Sequence, residues 1–150
     1  MNDEPLNLDR LAAQHAQAVI ANTKDSKSSD VKNTVTKALG VLQEDGVYAC
    51  FLYLLAKEKE LGKKVIEQML DLLEGLGFGW NKPVNEDGTI NLSPGAVLKH
   101  ISDHVTQDLK RLLLAKEMLE QMLIYARYGA EARQDLDSGS GQSSDQETTE

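Results

Sequence analysis

Hydrophobic residues recur along most of this chain at intervals of three and four, the spacing that places them on one face of an α-helix. In the first such stretch, residues 6–22, leucine, alanine and valine fall at helical spacing, and a polar linker, TKDSKSS, follows. A second stretch, residues 30–43, begins at Ser29 or Asp30, either of which can cap a helix N-terminus. Both stretches therefore predict amphipathic helices.

The next two stretches are richer in apolar residues. Residues 47–56, VYACFLYLLA, are continuously apolar and precede the charged run KEKE, which favours a central, fully enclosed helix over a buried strand. Residues 62–76 carry a broad apolar face and run into GLGFGW, whose glycines stop a helix. We therefore predict a third and a fourth helix, followed by a surface connection over residues 77–92.

The last stretch begins with Ser93 and Pro94, a favourable N-cap and first-turn pair, and extends to residue 132. It predicts one bent helix, or two helices with a break near Ser102 and Asp103. Its C-terminal part is apolar on two sides, and such a helix either lies inside a bundle or presents one side to a partner. One side carries Leu109, Leu112, Leu119, Leu123 and Ala126, with Lys116 and Arg127 beside it; the other carries Leu114, Met118, Met122 and Tyr125.

Together these patterns predict an all-α protein. Residues 1–133 should form a single domain, a compact bundle of about five or six helices. The remaining residues, 134–150, are rich in Gly, Ser, Gln and acid, and Leu136 is their only large apolar residue. Because such a segment buries too little apolar surface to offset the entropy of ordering, we expect a disordered acidic C-terminal tail.

The charge of the chain bears on nucleic-acid binding. A net charge of −8 argues at first against it, since a basic surface is the usual electrostatic footprint. Five of the 24 acidic residues lie in the tail, so the rest of the chain has 19 acidic against 16 basic residues and can carry a local basic patch. The bases on predicted outer faces are Lys32, Lys37, Lys110, Arg111, Lys116 and Arg127. A solvated helix face explains them as well as a phosphate-contacting patch does, and both readings stay open.

Candidate catalytic arrangements are weak. Cys50, the single cysteine, lies in an apolar run without a neighbouring base and is expected to be structural. His100, His104 and Asp108 are spaced by four residues, yet eight residues of helix rise about 12 Å, too far for all three to hold one ion. We expect no enzyme, cofactor or metal site, with a metal-dependent hydrolase on the two histidines as the enzymatic alternative. No secretory signal or membrane span is evident, which indicates a soluble cytoplasmic protein.

Three stretches resemble the small helical subunit of type III-B CRISPR effector complexes, the Cmr small-subunit family. They are the opening LAAQHAQAVIA, the segment VLQEDGVYACFLYLLAKEK, and the closing IYARYG, which begins seven residues after Glu117. In this closing cluster Arg127 and Tyr128 match the family's pattern, whereas Ile124 and Ala126 stand where the family has Trp and Lys. The chain is thus similar to a divergent member of that family.

The resemblance implies a non-catalytic subunit of an RNA-guided antiviral complex, stacked in several copies beside the guide and target RNA. Its protein neighbours would be the backbone and large subunits and other copies of itself. It would contact RNA phosphates mainly through Arg127, whose planar charged fork suits phosphate, with Lys116 on the same side and Lys37 and Lys110 as further contacts. An Arg127 paired with Glu131, and a helical adaptor that binds a protein partner only, are the alternatives.

Overall fold

The computed structural model describes residues 7–136 with their side chains. In this part of the chain, α-helices dominate and the only β-pairing is an isolated antiparallel bridge between Val84 and Ile90. The all-α prediction is therefore confirmed. The helices are α1 (Leu8–Asn22), α2 (Ser28–Asp45), α3 (Val47–Lys57), α4 (Lys59–Gly75), α5 (Pro94–His100) and α6 (Leu109–Thr149), with a π-helical turn (Ile101–Val105) between α5 and α6.

The predicted tail over residues 134–150 lies largely outside the described residues. Residues 134–136 continue α6, and the side chains after Leu136 are not described, so the disordered tail stays a prediction. At the other end of the chain, residues 1–6 are not described. Within the described range, no helix is both long and apolar enough to cross a membrane.

The helix starts follow local side-chain chemistry only in part. Asn7 caps α1, because its Oδ1 accepts a hydrogen bond from the Arg10 backbone N–H at 3.0 Å. The prediction that Ser29 or Asp30 begins α2 is wrong: α2 starts at Ser28 after Lys27, and no side chain caps it. The start of α2 depends on a tertiary contact instead of a local cap, since Ser28 is buried and its hydroxyl accepts a hydrogen bond from α6.

The apolar helix α3 is not fully enclosed, which corrects the prediction from its composition. Phe51 and Leu54 are fully buried, but Tyr48 and Leu52 are 42% and 46% exposed. The helix packs mainly against α2, α4 and α5, so one of its faces lies on the surface. A run of ten apolar residues contains no polar position that marks this outer face.

Two glycines permit the close succession of α2, α3 and α4. Gly46 has φ of 100°, a conformation that L-residues rarely adopt, and it joins α2 directly to α3. Gly62, on α4, is buried, and a Cβ added there would lie 2.7 Å from the Leu54 carbonyl oxygen of α3. Any larger residue at position 62 would push the two helices apart.

Helix α6 lies at the centre of the bundle, between α1 and α2. It runs antiparallel to α2, since Lys32 contacts Glu131 while Gln43 contacts Glu120. It runs parallel to α1, because the start of α1 meets Tyr125 and its end meets Arg133.

Both apolar rows of α6 contribute to the core. Met118 and Met122 are buried together with Leu119, Leu123 and Ala126, because α1 covers one side of the helix and α2 the other. Leu114 and Tyr125 are only partly buried. Leu109, which belongs to the same predicted row as Leu119 and Leu123, is 68% exposed at the start of the helix.

The predicted break in the last helical stretch is present. Ser93 occupies the N-cap position of α5 and Pro94 its first turn, although the serine side chain makes no capping hydrogen bond. Helix α5 ends at His100, and the turn that follows contains a bond of π-helical spacing, from the Thr106 N–H to the Ile101 carbonyl oxygen at 3.1 Å. Asp108 then starts α6 by accepting from the Lys110 N–H at 3.0 Å.

Candidate nucleic-acid interface

One side of α6 carries alternating acids and bases next to α2. Lys116, Glu120, Arg127 and Glu131 are spaced by four, seven and four residues, so they share one side of the helix. Glu120 accepts a hydrogen bond from Gln43 Nε2 at 3.1 Å, and Glu131 pairs with Lys32 at 3.3 Å. These contacts orient this side toward α2, and we call the four residues the α2 flank.

Arg127 lies between the two cross-helix contacts of the α2 flank. Its side chain is exposed and makes no hydrogen bond or ion pair with any residue that the structure describes. The alternative in which Arg127 pairs with Glu131 is not the arrangement found, because Glu131 pairs with Lys32. The donors of the guanidinium therefore point to solvent and can meet a phosphate.

Lys116 is the second unpaired cation of the α2 flank. It lies three turns before Arg127, at a distance of about 16 Å along the helix axis. It is half-buried, and no described carboxylate lies within ion-pairing distance of its ammonium group. The local pairing of Lys116 with Glu120 that a solvated face would have is absent, since Glu120 bonds Gln43 instead.

The structure separates Lys37 and Lys110 from this flank. Lys37 lies about 140° around α2 from Lys32, the residue that contacts α6, and is exposed on the outer face. Lys110 lies in the first turn of α6, about 120° around the helix from Lys116. Both side chains are exposed, but they do not form one patch with Arg127 and Lys116.

The other bases of the predicted outer faces have structural partners. Lys32 forms the ion pair with Glu131 that joins α2 to α6. The Arg111 guanidinium lies 4.7 Å from the centre of the Phe78 ring, and its Nε lies 3.7 Å from Asp108. These two bases are therefore less available to an external phosphate than Arg127 and Lys116.

Sequence reasoning missed Arg133, which lies six residues after Arg127 on the same helix. Its Nε donates to Ser28 Oγ at 2.7 Å, its Nη1 to the Thr23 carbonyl oxygen at 3.0 Å, and its Nη2 to the Ser26 carbonyl oxygen at 2.6 Å. It thereby holds the connection between α1 and α2 against α6. Two of the three acceptors are backbone carbonyls, which leave no signature in the sequence.

The two neighbouring histidines occupy different surroundings. His100 is 6% exposed, its ring centre lies 5.1 Å from that of the exposed His104, and its Nε2 has no partner among the described residues. Burial, assisted by the charge of His104, lowers the pKa of His100 below its ordinary value. Within residues 7–136, no three His, Cys, Asp or Glu side chains are grouped so that they could hold a metal ion.

Cys50 is enclosed by the core. Its thiol donates to the Ala38 carbonyl oxygen at 3.4 Å, and burial raises its pKa to about 12. A thiol in this state is a poor nucleophile, because the thiolate is the reactive form.

Comparisons with protein-family models, curated protein sequences and solved structures give no match to this chain. The resemblance of the three stretches to the Cmr small-subunit family therefore stays a prediction from their residues.

Proposed function

We propose that the chain is a non-catalytic small subunit of a type III CRISPR effector complex, which packs along the guide and target RNA in the cytoplasm. The observation that supports this proposal most directly is the exposure of Arg127 and its lack of a partner among the described residues. It belongs to the closing cluster that resembles the family, and its guanidinium is exposed and unpaired within the described chain. The partners are the RNA phosphates, the backbone and large subunits, and further copies of the same chain.

The charges around Arg127 indicate a weak phosphate contact that acts within an assembly. On the α2 flank the charge of Glu131 is offset by Lys32, which leaves Arg127 and Lys116 against the single acid Glu120. Two phosphate contacts release few counterions, and the affinity that they contribute is correspondingly small. Contacts of this kind position a subunit along RNA without reading its sequence, which base pairing does in a guided complex.

Replacement of both unpaired cations tests the phosphate contact. The Arg127→Ala, Lys116→Ala double variant should bind more weakly to a complex of backbone subunit and guide RNA. Its plot of log K against log salt should be less steep by about 1 to 2, the loss expected for two phosphate contacts. Titration of labelled chain into the purified complex at several salt concentrations measures both quantities.

Arg10→Ala is the matched control, because Arg10 is an exposed arginine of α1 outside the α2 flank. Its affinity and salt slope should equal those of the wild type. An unchanged slope in the double variant would contradict the phosphate contact.

The second candidate function is a helical adaptor that binds a protein partner only. Leu109 and Leu113, one turn apart at the start of α6, are 68% and 56% exposed, as at protein interfaces. In that case the double variant would assemble with wild-type affinity and slope, whereas Leu109→Ser with Leu113→Ser would weaken assembly.

A further inference from the structure

An open groove runs between the parallel helices α1 and α6, on the side of α6 that faces away from Arg127. It consists of two adjoining cavities with volumes of about 490 Å³ and 250 Å³. Asp9 lines both of them, and the Tyr125 hydroxyl donates a hydrogen bond to Asp9 where they meet. The two cavities are therefore parts of one surface feature, which we call the α1–α6 groove.

The floor of the groove is made of small and apolar side chains. The larger cavity is lined by Ala13, Ala16, Ile20 and Gly129, and the smaller one by Leu8, Leu114 and Met118. A Cβ at Gly129 would lie 3.0 Å from Ile20 Cγ1, which shows how closely α1 and α6 approach at this end. Small side chains along two neighbouring helices allow a third helix to pack at a short interaxial distance.

The length of the groove fits a helix. It extends along α6 from Leu114 to Gly129, and fifteen residues of helix rise about 22 Å. An occupant of that length is a helix of about four turns.

The two ends of the groove carry opposite charges. Asp9 and Glu117 lie at the end where α1 begins, and Lys24 lies at the other end. All three are exposed, and neither Glu117 nor Lys24 has an ion-pair partner among residues 7–136. A complementary occupant carries bases at one end and acids at the other.

A second copy of this chain does not supply such an occupant from its described helices. The large apolar side chains exposed on its described helices are Tyr48 and Leu52 on α3, Leu109 and Leu113 at the start of α6, and Tyr128 and Leu136 further along α6. The first two pairs each span about one turn and the third about two turns, which is too short to fill a groove of four turns.

We propose that the α1–α6 groove is the docking site for an amphipathic helix of a partner protein. This helix has an apolar stripe over the alanines and Gly129, bases over Asp9 and Glu117, and acids over Lys24. The proposal is independent of the phosphate contact, because the groove and the α2 flank lie on different sides of α6.

A designed peptide tests the proposal directly. The probe is a helix-stabilised peptide of about four turns, with leucine and alanine at spacings of three and four, lysines at one end and glutamates at the other. A scrambled peptide of the same composition, without the stripe, is the comparison. Fluorescence anisotropy with the full chain should give saturable binding of the striped peptide and at least tenfold weaker binding of the scrambled one.

Two variants of α1 identify the surface that binds. Gln17 is exposed and lines the groove, so Gln17→Trp should block it and weaken peptide binding more than tenfold. Gln14 is exposed on the same helix outside the groove, and Gln14→Trp should bind as the wild type does. Circular dichroism of both variants checks that the fold is kept.

Three results would overturn the proposal: no binding of the striped peptide, equal binding of both peptides, or no effect of Gln17→Trp. A wild-type dimer that Gln17→Trp dissociates would assign the groove to a second copy and also contradict it. Because Gln17 lies away from Arg127, Gln17→Trp should keep the salt slope of RNA-dependent assembly, so the two proposals can fail separately.

Discussion

At the scale of single residues, two arginines on α6 that look alike in sequence have opposite surroundings. Arg127 is exposed and unpaired within the described chain, whereas Arg133 makes three hydrogen bonds to the connection between α1 and α2. Helical spacing alone predicted that Arg127 and Lys116 share a side. It could not identify Arg133 as structural, because the carbonyls of Thr23 and Ser26 approach it only in the folded bundle.

The loss of Arg133 should be costly, whereas the loss of Arg127 should not. Arg133→Ala removes the hydrogen bonds to the Thr23 and Ser26 carbonyls and to the Ser28 hydroxyl, and we expect the free energy of unfolding to fall by about 2 to 3 kcal/mol. Arg133→Lys should recover part of this, since one ammonium replaces a planar fork incompletely. Urea denaturation measures these values.

Arg127→Ala serves as the control in the same helix, with an expected change within about 0.5 kcal/mol. Equal destabilisation by the two alanine variants would contradict the different surroundings of the two arginines.

At the scale of elements, the junction between α5 and α6 combines a π-helical turn with a buried histidine. A break was predicted from Ser102 and Asp103, and the turn lies there. The sequence did not predict that His100 faces the core, because its helix of seven residues is too short for a clear apolar face. Its buried Nε2 has no hydrogen-bond partner in the described chain. This favours the neutral ring, because burying a charge without a partner costs more than burying a neutral group.

This junction should make stability depend on pH. The pKa of His100 is lowered by burial and by His104, while Glu74 and Asp103 act in the opposite direction. Below the ordinary histidine pKa of 6.5, the unfolded chain binds a proton that the folded chain binds less readily. The free energy of unfolding should therefore fall as the pH drops through that region. Denaturation of wild type and His100→Leu at several pH values measures it, and parallel curves would contradict the assignment.

At the scale of the whole molecule, α6 contributes to the core of the bundle and also has two different surfaces that face solvent. Met118, Met122, Leu119 and Leu123 all pack inside the bundle, so the wide apolar surface of this helix is largely used within the chain. These two surfaces are the α2 flank and the α1–α6 groove, which lie on different sides of α6.

The all-α class and the approximate number of helices followed from the spacing of apolar residues. The exposure of α3 did not follow, because an unbroken apolar run has no polar residue to mark its outer face. The groove did not follow either, because it is formed by two helices about 110 residues apart in the chain. Features between distant segments depend on packing that the local pattern does not contain.

The central claim is that this chain assembles into an RNA-guided complex. It is tested most directly by co-expression with a type III backbone subunit carrying an affinity tag, together with guide RNA. The purified material is then analysed by native mass spectrometry. We expect a particle that contains the tagged subunit, RNA and more than one copy of this chain. Elution of the chain alone, with none retained on the tagged subunit and RNA, would contradict the account.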